Sequence, residues 1–304
     1  MTSYPKVLIT KEQARRIAEE LYGISGKVFA LPGEIDFNFR IASENKCYLL
    51  KVGRPDASQD YLAFQQDILL HVAGSESGII SPFPVPDLQG RYISETKDKA
   101  GNIRKVRLLN WVDGRLWSGV NPVGEGLLYS LGEEAGRLTS AMQGFKHPLA
   151  ERDFEWDVAQ AGWIREFLDL HSKEGQEILG YFLEQYEALQ KPYAGLRKSV
   201  VHNDANDNNV VVSRDLKDPR VRAIIDYGDA IHTQVINDLA VTIAYAVMGF
   251  PDPLNAALPV VKGYHSQFPL EAKELELLYV LVAMRLAISV SKSAINQEKE
   301  PDNK

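Results

Sequence analysis

A histidine, an aspartate and an asparagine at a fixed spacing form the strongest chemical signal in the sequence. His202, Asp204 and Asn209 follow the pattern H-x-D-x-x-x-x-N within VVHNDANDNNVVV, between two apolar runs that are typical of strands. Seventeen residues after Asn209, the apolar run in IIDYG ends at Asp226. Two carboxylates and a carboxamide provide the hard oxygen ligands that Mg²⁺ prefers, and one carboxylate can orient an acceptor hydroxyl. The pattern predicts a site for a magnesium-bound nucleotide, although an Asn- and Asp-rich segment between strands is by itself also typical of a turn.

These residues need a scaffold, and the apolar pattern of the first 110 or so residues predicts a strand-rich lobe. A helix is expected over 10–22, because Thr10 and Gln13 form a capping box and the apolar residues after them share one face. Three strands follow in KVFALPG, FNFRIAS and CYLLKVG. A helix over 58–73 and a hairpin with its turn at 98–102 complete this lobe.

The remainder of the chain has the 3.6-residue period of helices, interrupted only by the two apolar runs that carry the motif. The sequence therefore predicts an α+β protein with an N-terminal lobe over 1–108, a linker over 109–113 and a mainly helical lobe over 114–304. Helices are expected over 127–142, 158–170, 176–189, 236–248, 253–268 and 271–293.

Composition disfavours several classes of protein. The net charge of −7 argues against nucleic acid or an anionic membrane as the main partner. Cys47 is the single cysteine, so no internal disulfide can form and a cytoplasmic location is expected. The first residues lack the apolar run of a signal peptide, and the longest apolar stretch, 277–290, contains an arginine, so no membrane span is predicted. The sequence has no HExxH, CxxC, GxxxxGK[ST] or GxGxxG, which disfavours zinc, P-loop and Rossmann sites.

The chain resembles the superfamily of aminoglycoside phosphotransferases, choline kinases and hydroxylysine kinases, and most of all the hydroxylysine-kinase-like domains. The resemblance covers most of the chain and is carried by HNDANDNN, IIDYGD, LPGEIDFNF and YLLKV. It implies a two-lobe protein-kinase-like fold, with an antiparallel sheet and one key helix in the N-terminal lobe. It also implies Mg²⁺-dependent transfer of the γ-phosphoryl group of ATP or GTP to a small hydroxylated amine or amino acid. Asp204 would act on the acceptor hydroxyl, and Asn209 and Asp226 would bind the metal.

The resemblance further implies which residues bind the nucleotide. Lys51 would reach the α- and β-phosphates, although a lysine that closes a strand is often only a solvated edge charge. Its implied partner, Asp67, is one methylene shorter than the family's glutamate. The loop over 33–39 would cover the phosphates and the linker would bind the base, with Trp111 either stacked on the base or part of the core. The implied nucleotide-binding residues are Lys51, Asp67, Gly33, Asn38, Asn110 and Val112.

Two further residues are implied to support the catalytic loop. His202 would hold the loop and the Asp226 segment together by hydrogen bonds and would not transfer a proton. Asp238, in NDLAVTIAY, would buttress the loop, and helix capping is an equally adequate explanation for an aspartate there.

The acceptor site is expected in the helical lobe. An acceptor amine calls for carboxylates or aromatic faces, and the carboxylate of an amino acid calls for an arginine. The candidate substrate contacts are Asp229, Trp156, Asp157, Glu274 and Arg285, with Arg152 as an alternative arginine.

Two other functions remain open from the sequence. The first is a catalytically silent nucleotide-binding domain that regulates a partner enzyme, and the shortened Asp67 is its main support. The second is a protein kinase, which the missing GxGxxG loop and the missing APE-like segment after IDYGD disfavour. Some similar domains are fused to aminotransferases, so one expectation is that a further catalytic domain follows the charged tail after Ala294. The other expectation is a self-contained chain.

Overall fold

The structure is a computed structural model that describes residues 8–33 and 36–299. Its chain contacts separate two units. One unit is built from the chain up to Gly74 and from Ile80–Asp113, and the other from Ser75–Ile79 and from Gly114 onwards. The main division therefore falls where the segment 109–113, the expected linker, ends.

The N-terminal unit begins with the predicted helix, α1 (Lys11–Tyr22). The capping box is present, since Thr10 Oγ1 accepts from the Gln13 amide at 3.2 Å and Thr10 N–H donates to Gln13 Oε1 at 3.0 Å. Gly23 ends the helix in the left-handed conformation, with φ 66°. The apolar face of α1 joins the core that lies under one face of the sheet.

The sheet of this unit is antiparallel and has the order β1-β2-β3-β6-β4, with β5 also paired to β6. Helix α2 (Gln59–Ala73) follows β3 and is capped by Ser58. In the register, Lys51 of β3 stands opposite Asn38 of β2 and Arg107 of β6. Because side chains alternate along a strand, Leu50 and Val52 enter the α1 core while Lys51 projects from the other face. The strands are β1 (Lys27–Leu31), β2 (Phe37–Ala42), β3 (Cys47–Val52), β4 (Pro84–Val85), β5 (Ser94–Lys97) and β6 (Ile103–Asn110).

The C-terminal unit is mainly helical, and its two small sheets carry the motif. One sheet has the order β10-β9-β7 and the other pairs β11 with β8. The region 158–170, predicted as a helix, is a 3₁₀ helix, and β11 lies in a segment for which no strand was predicted. The strands are β7 (Arg115–Leu116), β8 (Lys198–Val201), β9 (Val210–Val212), β10 (Val221–Ile224) and β11 (Ile231–Gln234). The helices are α3 (Glu125–Ala141), α4 (Lys173–Ala188), α5 (Gln190–Ala194), α6 (Ile236–Ala246), α7 (Pro253–Gln267) and α8 (Ala272–Lys299).

Helices α3 and α7 pack closely enough to place polar groups beside the motif. A Cβ on Gly132 would lie 2.0 Å from the Val260 carbonyl oxygen, so only glycine allows this approach. The close packing brings Tyr264 of α7 to Thr139 of α3, with a hydrogen bond of 2.9 Å between their hydroxyls. The Thr139 hydroxyl in turn donates to Asp238 of α6 at 3.3 Å.

Judged by length and composition alone, helix α8 is long and apolar enough to cross a membrane. The core helix of a soluble protein passes the same test, so a single helix of this kind is weak evidence for a span. The helix also carries Arg285, which is buried among polar partners within the C-terminal unit.

Candidate active site

The motif residues occupy the loop between β8 and β9, and Asp238 anchors this loop from α6. The Asn203 amide donates to Asp238 Oδ1 at 2.8 Å, and Asn203 has the left-handed backbone conformation, with φ 65°. Asp238 is buried, and burial raises the pKa of its carboxyl to about 6. A buried carboxylate that accepts a backbone amide and the Thr139 hydroxyl cross-links the loop to two helices.

His202 links the loop to the segment that carries Asp226. Its Nδ1 accepts from the Asp204 amide at 3.2 Å, so the ring proton lies on Nε2, which donates to the Ile225 carbonyl at 3.1 Å. The ring is completely buried, and burial lowers the pKa of His202 to about 4. At neutral pH the imidazole is therefore uncharged and fully engaged in structural hydrogen bonds.

Asp204 lies at the centre of a polar cluster. Asn206 Nδ2 is 3.0 Å from both carboxylate oxygens, and Asn209 Nδ2 is 2.7 Å from Oδ2. Arg285 Nη2 approaches Oδ1 at 3.4 Å. Burial, and after it the nearby charge of Asp229, raise the pKa of Asp204 to about 7, against the opposing charge of Arg285. The sequence did not single out Asn206. Its place two residues after the motif aspartate, in the same loop, was a signal that it could contact Asp204.

Asn209 and Asp226 are presented by neighbouring strands. The Ile225 amide donates to the Asn209 carbonyl at 2.8 Å, which ties the start of β9 to the end of β10. Both side-chain N–H groups of Asn209 can be assigned to Asp204, one to its carbonyl at 2.9 Å and one to its carboxylate. The Asn209 amide oxygen is not used in these two hydrogen bonds. Asp226 is exposed and has φ 65°, a conformation that costs roughly 1–3 kcal/mol in a non-glycine residue and is concentrated at functional sites.

These two oxygen donors fit a magnesium ion that takes its other ligands from a nucleotide. Within residues 8–33 and 36–299, no group of three His, Cys, Asp or Glu side chains is placed to hold a metal by itself. Mg²⁺ is commonly bound through only one or two carboxylates together with substrate phosphates and water. An asparagine oxygen and one carboxylate therefore suit Mg²⁺ better than they suit a metal that needs an all-protein site.

In the N-terminal unit, Lys51 belongs to a group of charged side chains on the face of the sheet opposite the α1 core. Lys51 is 12% exposed, and its Nζ lies 4.0 Å from Asp36 Oδ2. The same oxygen is 2.8 Å from Arg107 Nη2, and Arg107 Nη1 donates to Gln65 of α2 at 2.7 Å. The sequence missed Asp36 and Arg107, since their proximity to Lys51 depends on strand pairing between distant segments.

Three other predicted nucleotide contacts lie on α2, on β2 and in the loop before β2. Asp67 is exposed on α2, about 200° around the helix from Gln65. Its role as the partner of Lys51 therefore stays a prediction. Asn38 Nδ2 donates to the Pro32 carbonyl at 3.2 Å and closes the predicted phosphate loop. A Cβ on Gly33 would lie 2.5 Å from that same nitrogen, so this contact requires glycine. Two residues of the loop, 34 and 35, lie outside the described residues.

The expected linker begins where β6 ends. The Asn110 side chain accepts from the Phe83 amide, and the Asn110 amide donates to the Phe83 carbonyl at 3.1 Å. The Trp111 amide donates to the Cys47 carbonyl at 3.0 Å. The guanidinium carbon of Arg40 lies over the Trp111 ring, 5.3 Å from the ring centre. Val112 is half-buried and follows these bonded residues. The Asn110 side chain therefore braces its own unit, and contact of Asn110 or Val112 with a base stays a prediction.

Two of the predicted substrate contacts require correction. Asp157 is 2% exposed and accepts hydrogen bonds from the Ala159 amide and the Thr233 hydroxyl, and burial raises its pKa. Glu274 is 0% exposed and binds the Arg197 guanidinium through both oxygens, at 2.9 and 2.6 Å. Neither carboxylate is accessible to a substrate, so both serve the internal packing of the C-terminal unit.

The remaining substrate candidates lie around Asp204. Asp229 is half-buried and near enough to raise the pKa of Asp204. Trp156 is half-buried, with its ring 4.9 Å from the Arg285 guanidinium. Tyr245, which the sequence did not single out, places its hydroxyl 3.2 Å from Arg285 Nη2.

Known proteins resemble this chain over almost its whole length. The family model described as "Phosphotransferase enzyme family" matches residues 28–275. A hydroxylysine kinase of Danio rerio is 28% identical over 320 residues, which cover 99% of this chain and 88% of that protein. A hydroxylysine kinase of Xenopus laevis is 28% identical over 323 residues, covering 98% of this chain and 86% of that protein.

Solved structures share the fold. An amicoumacin kinase in complex with AMP-PNP, Ca²⁺ and Ami superposes with a TM-score of 0.71 at 17% identity, over 95% of this chain and 87% of that chain. A microcompartment-associated aminopropanol kinase gives a TM-score of 0.64 at 18% identity, over 94% and 96% of the two chains. At such identities the similarity is evidence for the fold alone, and the predicted α+β, protein-kinase-like fold is confirmed.

Proposed function

Because the chain belongs to the phosphotransferase enzyme family, we propose that it transfers the γ-phosphoryl group of ATP or GTP, bound with Mg²⁺, to a hydroxyl group of a small amine or amino acid. The observation that carries the proposal is the hydrogen bonding of Asp204 and Asn209, which together offer a proton acceptor and a free amide oxygen. The names of the similar kinases, hydroxylysine kinase and aminopropanol kinase, specify acceptors that contain both an amine and a hydroxyl.

In this proposal Asp204 aligns the acceptor hydroxyl. An alcohol has a pKa far above that of any carboxylate, so Asp204 takes the proton late, as the bond to phosphorus forms. A pKa raised to about 7 makes Asp204 a stronger proton acceptor than a solvated aspartate. Asn209 and Asp226 would hold Mg²⁺, which when bound neutralises charge on the phosphates.

The remaining residues bind and orient the two substrates. Lys51, on the face of the N-terminal sheet opposite the α1 core, would bind nucleotide phosphates. In the C-terminal unit, Asp229 would receive the acceptor's ammonium group, and the face of Trp156 would contact its carbon chain. Holding both substrates in one geometry is the main source of rate enhancement in phosphoryl transfer.

A nucleotide-consumption assay over a panel of acceptors tests the proposal. The panel would contain amino alcohols, hydroxylated amino acids, choline-like compounds and aminoglycosides, each with ATP or GTP and with or without Mg²⁺. We expect turnover that needs Mg²⁺ and one class of amine-bearing acceptor. Nucleotide binding without turnover on any acceptor would contradict the kinase proposal and favour the silent regulatory domain.

Replacing Lys51 with methionine should lower kcat/KM for the nucleotide by about tenfold or more, the scale of a lost charge-assisted hydrogen bond. Steady-state kinetics at varied nucleotide concentration measures this effect. Lys105→Met is the matched control, because Lys105 belongs to the same sheet and pairs with Glu95. Equal, small effects of both substitutions would show that Lys51 is only a charged residue of the sheet.

Replacing Asp226 with alanine should weaken the binding of the magnesium–nucleotide complex by about tenfold or more, since a metal ligand is lost. Calorimetry with the nucleotide in the presence and absence of Mg²⁺ separates the metal-dependent part of the affinity. The control is Asp218→Ala, an exposed aspartate in the turn between β9 and β10 that pairs with Arg220. Unchanged affinity in the Asp226 variant would remove that residue from the metal site.

A further inference from the structure

Arg285 of α8 places a buried guanidinium beside the reacting carboxylate. The residue is 1% exposed. Its Nη1 donates to the Trp156 carbonyl at 2.9 Å, and its Nη2 lies 3.2 Å from the Tyr245 hydroxyl and 3.4 Å from Asp204 Oδ1. The Trp156 and Tyr245 rings lie 4.9 and 5.5 Å from the guanidinium carbon. Three segments of the C-terminal unit therefore fix the position of this cation.

This environment does not suit the role that the sequence predicts for Arg285, the binding of a substrate carboxylate. A substrate reaches a guanidinium only where donors face solvent, and this side chain is enclosed. A substrate carboxylate would also have to displace the contact with Asp204 and leave that carboxylate buried without its cation, which is costly. The Arg285 guanidinium is therefore bound by the protein itself.

The contacts on Asp204 divide between its two oxygens. Oδ1 faces Arg285, and Oδ2 faces Asn209 at 2.7 Å, while Asn206 Nδ2 contacts both. A carboxylate held at both oxygens cannot rotate freely about its χ2 angle, which is otherwise a broad torsion. The plane of the carboxylate, and hence the direction in which its lone pairs point, is set by the residues on its two sides.

We propose that Arg285 is a positioning residue for phosphoryl transfer, which holds Oδ1 of Asp204 so that the carboxylate meets the acceptor hydroxyl in one fixed orientation. This inference rests on the proposed function of Asp204. Arg285 does not touch the acceptor, and its effect is transmitted entirely through the aspartate. It should therefore act on turnover of every acceptor alike, whether or not the acceptor carries a carboxylate.

Kinetics of Arg285→Met with two acceptors tests this role. One acceptor is a hydroxylated amino acid and the other is the amino alcohol that lacks its carboxylate. We expect kcat to fall about tenfold or more for both, because small displacements of a reacting group have effects of this order, while both acceptor KM values stay within about threefold. Arg285→Lys should recover part of the loss, since it restores the charge without the planar fork of donors. An increase in KM for the amino acid alone, with kcat unchanged, would overturn the inference.

Arg197→Met is the control for the loss of an ion pair with a buried residue of α8. Arg197 binds Glu274, which lies eleven residues before Arg285 on that helix, about 16 Å along its axis. This variant should unfold at a lower temperature with kcat unchanged. A loss of kcat in Arg197→Met as large as that in Arg285→Met would show that Arg285 acts only through stability, and would overturn the positioning role.

A thermal double-mutant cycle tests the contact without using activity. Arg285→Met should lower the unfolding temperature less in an Asp204→Asn background than in the wild type, because the buried charge pair has already been disrupted there. If the two shifts in unfolding temperature are additive and the wild type is active, the positioning role of Arg285 is wrong and the proposed function still stands. Lack of turnover by the wild type with every acceptor would overturn the proposed function, and the positioning role with it.

Discussion

Replacing Asp204 with asparagine is expected to lower kcat by about 10²-fold or more, the usual scale of general-base catalysis. Asparagine keeps the size of the side chain and one carbonyl oxygen, but it cannot take the proton of the acceptor hydroxyl. The affinities for nucleotide and acceptor should change little, since Asp204 contacts the hydroxyl mainly as the bond to phosphorus forms. Single-turnover kinetics and calorimetry on the same variant measure turnover and binding separately.

The control for this substitution is Asp207→Asn, in the same loop. The Asp207 carbonyl accepts from the Ser118 amide at 2.9 Å, and this backbone bond does not depend on the side chain. Equal losses of affinity and turnover in Asp204→Asn would make Asp204 an affinity residue. A fully active Asp204→Asn enzyme would contradict the assignment of the whole loop to phosphoryl transfer.

The elements that the sequence predicts well are those with strong local signals. Helix α1 has a capping box at its start and a left-handed glycine at its end, and both signals act within a few residues. Strand β11 lacks such signals, because it is only four residues long and three of the four are polar. It becomes a strand by pairing with β8, some thirty residues earlier in the chain, and short-range patterns do not contain that information.

In the candidate site, too, some contacts follow from local spacing and others only from tertiary packing. The spacing of His202, Asp204 and Asn209 identifies the loop. In the structure the Asp204 amide donates to His202 Nδ1, and Asn209 Nδ2 donates to the Asp204 carboxylate. The predictions for Asp157 and Glu274 failed because an isolated carboxylate in a sequence carries no sign of its burial. Their partners, Thr233 and Arg197, are 76 and 77 residues away in sequence. Such pairs are created by tertiary packing alone.

The burial of His202 also predicts how stability should change with pH. Its folded-state pKa of about 4 lies below the ordinary value of 6.5, so above pH 6.5 the ring is neutral in both the folded and unfolded chains. As the pH falls below 6.5, the unfolded chain binds a proton that the folded chain does not, and the free energy of unfolding decreases. The loss attributable to His202 is about 2 kcal/mol by pH 5 and about 3 kcal/mol near pH 4, where it levels off.

Asp238 acts in the opposite direction over a similar range. Its folded-state pKa of about 6 lies above the ordinary value of 3.8, so the folded chain binds a proton first as the pH falls. Its contribution to stability is therefore present at low pH and is lost as the pH rises from 3.8 through 6. Asp204, whose pKa is also raised, acts in the same direction as Asp238 and against His202. The pH profile of the wild-type protein alone therefore does not isolate the contribution of the histidine.

The difference between wild type and His202→Asn isolates the histidine. At pH 7 the wild type should be the more stable protein, because it keeps both hydrogen bonds of the ring and its packing against Tyr227. That advantage should shrink by about 2 kcal/mol between pH 7 and pH 5, since only the wild type carries the buried imidazole. Urea unfolding at closely spaced pH values measures the difference, with His265→Asn as the control at an exposed histidine. An advantage that stays constant from pH 7 to pH 5 would show that His202 accepts a proton within the fold, and would contradict its purely structural role in the catalytic loop.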